Sequence, residues 1–131
     1  MSEPAQIRAV LLGHGGMPDG MVDAVRHITG CDADVLTPVS NRGKSPDTMA
    51  AEVTRILGDR PGIVFTDLQS GSCGFVARRL THDAPNLVVV CGVNLPLLID
   101  FAMSRGEPLD VLVPRLLARG RAAIDSAPSR R

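Results

Sequence analysis

Short apolar runs alternate along this chain with segments of helical period, and no other feature limits its fold as tightly. A strand, a helix and a further strand of the same sheet make a parallel crossover, so repetition of the unit predicts an α/β fold: a single domain with a mostly parallel central sheet and helices on both faces. The runs are Ile7 to Leu12, Val35 to Val39, Ile63 to Thr66 and Leu87 to Cys91, rich in Val, Ile and Leu. Such near-continuous strands are expected to be buried on both faces.

Between them, Met21, Ala24, Val25 and Ile28 form one helical stripe that stops at Gly30. Ser45, Pro46 and Asp47 supply an N-cap, a first-turn proline and an acidic first turn, and Met49, Val53, Ile56 and Leu57 follow as the buried stripe up to Gly58. A third helix is predicted from near Ser72 through Leu80. A fourth begins after Asn94, its N-cap, with Pro96 in the first turn, and is closed by Gly106. The last uses Leu112, Leu116 and Leu117, with Pro114 restricting its start and Gly120 weakening its middle.

The 131 residues suffice for one core, and fourteen basic side chains balance fourteen acidic ones. Zero net charge removes the global signature of a nucleic-acid or membrane-surface binder, and an aromatic content of 2% leaves no base-stacking platform. The three cysteines, Cys31, Cys73 and Cys91, make no CxxC pair, so neither a disulfide framework nor a zinc site is suggested. Met1 to Gln6 lacks the basic and apolar regions of a signal peptide, and no apolar run approaches the roughly 20 residues of a membrane helix. A cytoplasmic protein is expected, with a domain over residues 1–125 and a polar tail over 126–131.

In a parallel α/β sheet the ligand crevice lies beyond the carboxyl ends of the strands, which directs attention to Gly13–Gly16, Asp67–Ser72 and Gly92–Asn94. His14 stands between glycines after the first strand, where an imidazole is open to a partner. Asp67 closes the third strand and is placed to accept a hydrogen bond from one ring nitrogen, leaving the other nucleophilic. Ser70, Gly71 and Ser72 open a helix whose free N–H groups suit a phosphoryl group. Neither GxxxxGK[ST] nor GxGxxG occurs, and no cofactor or metal is called for. His27 and His82 fall near helix ends and need no further role, and Arg78 and Arg79 read as solvated helix residues.

GHGG after strand one, DLQSGS after strand three and CGVNLPLLIDFAMSR from Cys91 to Arg105 resemble the enzyme IIA domain of the mannose family of the bacterial sugar phosphotransferase system. The likeness extends from Ile7 to about Ile124, with LDVLVPRLLARGR also in register. It implies that His14 accepts a phosphoryl group from the phosphocarrier HPr and passes it to a IIB protein, expected here on a separate polypeptide. By the same resemblance Asp67 orients the histidine, and Gly15, Gly71 and Ser72 bind the phosphoryl group. Cys73 replaces the family's usual proline, and the usual aromatic near the histidine is missing.

A homodimer is also implied, with exchange of a C-terminal strand placed in doubt by the short tail and Pro128. Contact with a membrane would be at most peripheral, through IIC and IID partners. Met17, in the loop, and Met21 and Phe75, at helix starts, are the apolar residues expected nearest a docking rim. Two alternatives use the same loop: a regulatory phosphohistidine protein of this fold without a transport role, and a small tetrapyrrole metal chelatase. The chelatase needs a second histidine at another strand end and gives the GVNLPLL segment no place.

Overall fold

The computed structural model describes residues 6–128. Among them are four strands, β1 (Arg8–Gly13), β2 (Leu36–Ser40), β3 (Gly62–Thr66) and β4 (Leu87–Cys91). Five helices accompany them: α1 (Met17–Thr29), α2 (Pro46–Leu57), α3 (Gly71–His82), α4 (Leu95–Met103) and α5 (Leu109–Ala122). All strand pairs are parallel, in the order β2-β1-β3-β4. This is the single α/β domain that the alternation predicts.

Strand periodicity splits the core in two. Ala9 and Leu11 of β1, with Ile63 and Phe65 of β3, point toward α1, α4 and α5, where Phe101 and Leu116 meet them. Val10, Leu12 and Val64 point the other way, onto Met49, Val53 and Val76 of α2 and α3. The Phe65 and Phe101 rings meet edge to face at 5.3 Å and 74°, a favourable arrangement of their quadrupoles. Each fully buried side chain of this size contributes about 1.5–3 kcal/mol.

Helix boundaries follow local chemistry. Ser45 caps α2 by accepting the Thr48 N–H at 3.2 Å, and Asn94 caps α4 by accepting the Leu97 N–H at 3.2 Å. Pro38 is tolerated inside β2 because β2 is an edge strand. The bonds Ala9 N–H to Val35 and Asn41 N–H to Gly13 set the odd-numbered residues toward β1, so Pro38 faces away from the ladder.

Several sequence expectations are corrected. β4 is only partly buried at Leu87, Val88 and Val89, because it is the other edge of the sheet. Met17 lies in the first turn of α1, and not in a loop, since Pro18 in that turn suits an early helix start. Helix α4 ends at Met103 with Ser104 as its C-cap, before Gly106. Helix α5 begins at Leu109 and continues through Pro114, with Leu112 and Leu116 buried on either side of it. Gly120 serves packing: a Cβ there would lie 2.8 Å from Leu97 Cδ1, and its carbonyl accepts Asn94 Nδ2–H at 2.9 Å. Among the described residues no strand extends the free edge of β4. Most of Met1–Gln6, and residues 129–131 of the tail, lie outside the described residues.

Candidate functional site

The register aligns the carboxyl ends of the strands: Gly13 lies opposite Ser40, Leu12 opposite Thr66, and Thr66 opposite Cys91. His14, Asn41, Asp67 and Gly92 therefore leave the sheet in one row. Gly15 takes a left-handed φ of +61°, and the Met17 N–H closes the turn on the His14 carbonyl at 3.2 Å. The buried Thr66 hydroxyl donates to the Leu68 carbonyl at 2.8 Å, while its carbonyl accepts the N–H groups of Gly92 and Val93. The Asp67 loop is thus held from both sides.

One carboxylate oxygen of Asp67, Oδ2, takes both bonds to the histidine: the backbone N–H of His14 at 3.0 Å and ring Nδ1 at 2.8 Å. A carboxylate is an acceptor, so Nδ1 carries a proton, and in the neutral ring Nε2 is then the nitrogen with the lone pair. The other oxygen, Oδ1, is buried and has no partner among the described residues. The imidazole is 39% exposed and the aspartate side chain 18%, so the ring faces solvent while the carboxylate that holds it is shielded.

Gly71 passes beneath the ring at a φ of +84°, and a Cβ on it would sit 3.5 Å from both His14 Cε1 and Nε2. The left-handed backbone is what favours glycine at this position, since a Cβ would come only to ordinary contact distance of Nε2. Ser72 follows in the first turn of α3. The helices α2 and α4 have side-chain caps, whereas α1 and α3, whose N-termini flank His14, have none. At α3 the first-turn N–H groups remain available to an anion, whereas at α1 the Met17 N–H is already bonded to His14 and Pro18 has none; the positive end of each helix dipole favours negative charge there.

Cys73 lies buried under the pair, and the ligand-type atoms of His14, Asp67 and Cys73 come within 4.8 Å of one another. Burial, then the Asp67 charge, push its thiol up, against a smaller lowering by the Ser72 hydroxyl. The His14 and Asp67 atoms already bond each other, so a metal there would have to displace that bond. The second histidine that a chelatase needs is not at a strand end here. His82 closes α3, roughly 16 Å along the helix from Gly71 at 1.5 Å per residue, and pairs with Asp83 at 3.0 Å.

The structure brings His14, Asp67, Gly15, Gly71 and Ser72 to one end of the sheet. Arg79 pairs with Asp47 at 3.0 Å, and Arg78 and His27 are exposed. Phe75 is 59% exposed one turn beyond Gly71, while Met17 and Met21 pack partly against the core. Beside Asp67 lies a depression of about 380 Å³ with the exposed apolar side chains Leu68 and Ile124 on its walls. A larger one, about 630 Å³, is lined by Gly30, Val35 and Arg105 at the opposite end of the strands, away from His14.

Sequence reasoning missed the loop after β2. Ser40 Oγ donates to the Gly15 carbonyl at 2.7 Å, and Asn41 Oδ1 accepts the Gly15 N–H at 3.1 Å. The rule that singled out the ends of the other three strands applies equally to Ser40–Arg42.

The family described as PTS system fructose IIA component matches residues 8–111. The chain is similar to the phosphotransferase system component EIIA from Streptococcus agalactiae, at 25% identity and a TM-score of 0.84, covering 92% of this chain and 96% of that one. The mannose/sorbose-specific IIA subunit from Enterococcus faecalis is 26% identical with a TM-score of 0.83, covering 97% and 98%. A IIA protein associated with the fucose utilization operon of Streptococcus pneumoniae shares the fold at 18% identity and a TM-score of 0.82, covering 95% and 96%. Among curated proteins, the DNA-directed RNA polymerase subunit beta' of Elusimicrobium minutum is 26% identical over 108 residues, 79% of this chain. The chain spans only 8% of that subunit's length, so the match carries nothing of the polymerase as a whole. With the family matched over most of its length and the same fold in these IIA proteins, the chain belongs to the mannose–fructose family of phosphotransferase-system IIA components.

Proposed function

We propose that this IIA component is a phosphoryl carrier that accepts phosphate from phospho-HPr on His14 and delivers it to a IIB protein. The observation that carries the reading is the bond from His14 Nδ1 to Asp67, which leaves Nε2 as an exposed nucleophile over the uncapped start of α3. In the transfer, the Nε2 lone pair forms a bond to phosphorus in line as the phosphorus–nitrogen bond of the donor histidine breaks. The electron pair of the broken bond returns to the donor ring. His14 keeps its Nδ1 proton, so the phosphorylated ring carries positive charge, which the Asp67 carboxylate stabilises.

Gly71 and Ser72 supply N–H donors to the phosphoryl oxygens, with Gly15 giving the donor close access. Phosphoryl transfer needs little covalent chemistry from the protein beyond positioning and charge stabilisation, and this arrangement offers both. Among the described residues no helix is long and apolar enough to cross a membrane. A cytoplasmic carrier acting as a homodimer, meeting membrane partners only through IIB, is part of the same proposal.

Incubation with phosphoenolpyruvate, enzyme I and HPr should place an acid-labile, alkali-stable phosphate on the wild-type protein. His14→Ala should abolish it, while His27→Ala and His82→Ala keep it. Labelling of His14→Ala at the wild-type rate would overturn the assignment.

A further inference from the structure

The loop after β2 holds an arginine against the histidine loop, and nothing in the family-based reading uses it. Asn41 N–H donates to the Gly13 carbonyl at 3.0 Å, and the Ser40 hydroxyl accepts the Arg42 N–H at 3.1 Å. With the two bonds to Gly15, these contacts fix the backbone of Arg42 beside residues 13–15. Its guanidinium then lies against Gly15: a Cβ there would be 3.3 Å from Nη2, 3.7 Å from Nε and 3.8 Å from Cζ. Nη2 is the nearest of the three and the central Cζ the farthest, so the Nε–Nη2 edge of the fork is what approaches position 15. Any side chain at position 15 would crowd it.

Among the described residues this guanidinium takes part in none of the ion pairs, which use Arg8, Lys44, Arg79 and Arg115 as their Lys and Arg members. It is an unpaired cation one residue from His14, on the flank opposite Asp67, since β2 and β3 lie on either side of β1. The electrostatics give that placement a purpose. A phosphoryl group arriving at Nε2 brings negative charge toward a site that already holds the Asp67 carboxylate. Amide dipoles at the starts of α1 and α3 offset part of the repulsion, and a full positive charge on the other flank offsets more.

We propose that Arg42 is a phosphoryl-binding residue, its guanidinium turning from Gly15 onto non-bridging oxygens of the group carried by His14. The fork geometry of arginine suits two such oxygens at once, which lysine does not match. The inference rests on His14 being the phosphorylated residue.

Arg42→Gln and Arg42→Lys test it, with phosphorylation from phospho-HPr followed at low and high salt and the phosphoryl group titrated by phosphorus-31 resonance. Arg42→Gln should lower kcat/KM at least roughly tenfold, about 1.4 kcal/mol, and Arg42→Lys by less. The deficit of Arg42→Gln should shrink as salt screens the charge in the wild type. The phosphoryl pKa should rise in Arg42→Gln, because the wild-type cation favours the dianion; a merely structural role would leave that titration unmoved. Arg42 is exposed, so melting temperatures should match. A labelled wild type with wild-type transfer and titration in Arg42→Gln overturns this inference alone, and an unlabelled wild type overturns it together with the carrier reading.

Discussion

Replacing Asp67 by Asn removes one charge and almost no volume. Both bonds that Oδ2 accepts, from the His14 N–H at 3.0 Å and from Nδ1 at 2.8 Å, can be kept by an amide oxygen, so the loop should hold its shape. What is lost is attraction to the positive ring that forms as Nε2 takes the phosphoryl group. Two unit charges at 4 Å interact by about 4 kcal/mol at an effective dielectric of 20, an upper figure for a ring that is 39% exposed to screening water. A hydrogen bond to a charged group exceeds a neutral one by roughly 1 kcal/mol. Between these bounds, about 1.4–2.7 kcal/mol of barrier is expected, a slowing of roughly 10- to 100-fold. Rapid-quench transfer of phosphorus-32 from phospho-HPr measures it, with thermal melting as the control for folding. Transfer by folded Asp67→Asn at the wild-type rate would refute the charge argument and reduce Asp67 to a turn residue.

Gly71→Ala should slow transfer more than it destabilises, since the left-handed φ costs of order 1–3 kcal/mol while the added methyl would sit 3.5 Å from Nε2, as paired rate and melting measurements will show. Gly74→Ala should act on stability instead: its Cβ would meet the Gln69 carbonyl oxygen at 2.5 Å, and denaturant melts should show a loss of about 1–3 kcal/mol. Phe75→Ser should leave stability within about 0.5 kcal/mol yet raise KM for phospho-HPr, because the ring is exposed beside Gly71; an unchanged KM would place docking elsewhere. The thiol of Cys73 is raised by burial and by Asp67, so its contribution to stability is present below the unfolded thiol value of about 8.5 and declines as pH rises through the higher folded value. Relative to Cys73→Ser, the wild type should therefore lose stability above about pH 8.5 in denaturant melts, and a parallel pair of pH profiles would contradict this.

The order of elements was legible because apolar runs and helical stripes alternate from Ile7 to Met103, and caps such as Ser45 and Asn94 announce themselves by residue type. Edge position was not, because Leu87 to Cys91 has the composition of a central strand and only the pairing order reveals its open side. Pro114 misled about α5: a proline removes one N–H bond, and the burial of Leu112 and Leu116 carries the helix through it. At the site, the pairing of His14 with Asp67 could be anticipated from two strand ends brought side by side. Arg42 could not be assigned by residue type alone, because an arginine after a strand is ordinarily solvated and its contact with Gly15 depends on how two loops pack.

The central claim is that Asp67 fixes the tautomer of His14 and so chooses the nucleophile. A long-range proton–nitrogen-15 spectrum of the protein phosphorylated by phospho-HPr tests it directly, by identifying which ring nitrogen of His14 bears phosphorus and which bears hydrogen. The account requires phosphate on Nε2 with the Nδ1 proton retained toward Asp67. Phosphate on Nδ1, or a His14 ring left unphosphorylated while the protein is labelled elsewhere, would contradict it.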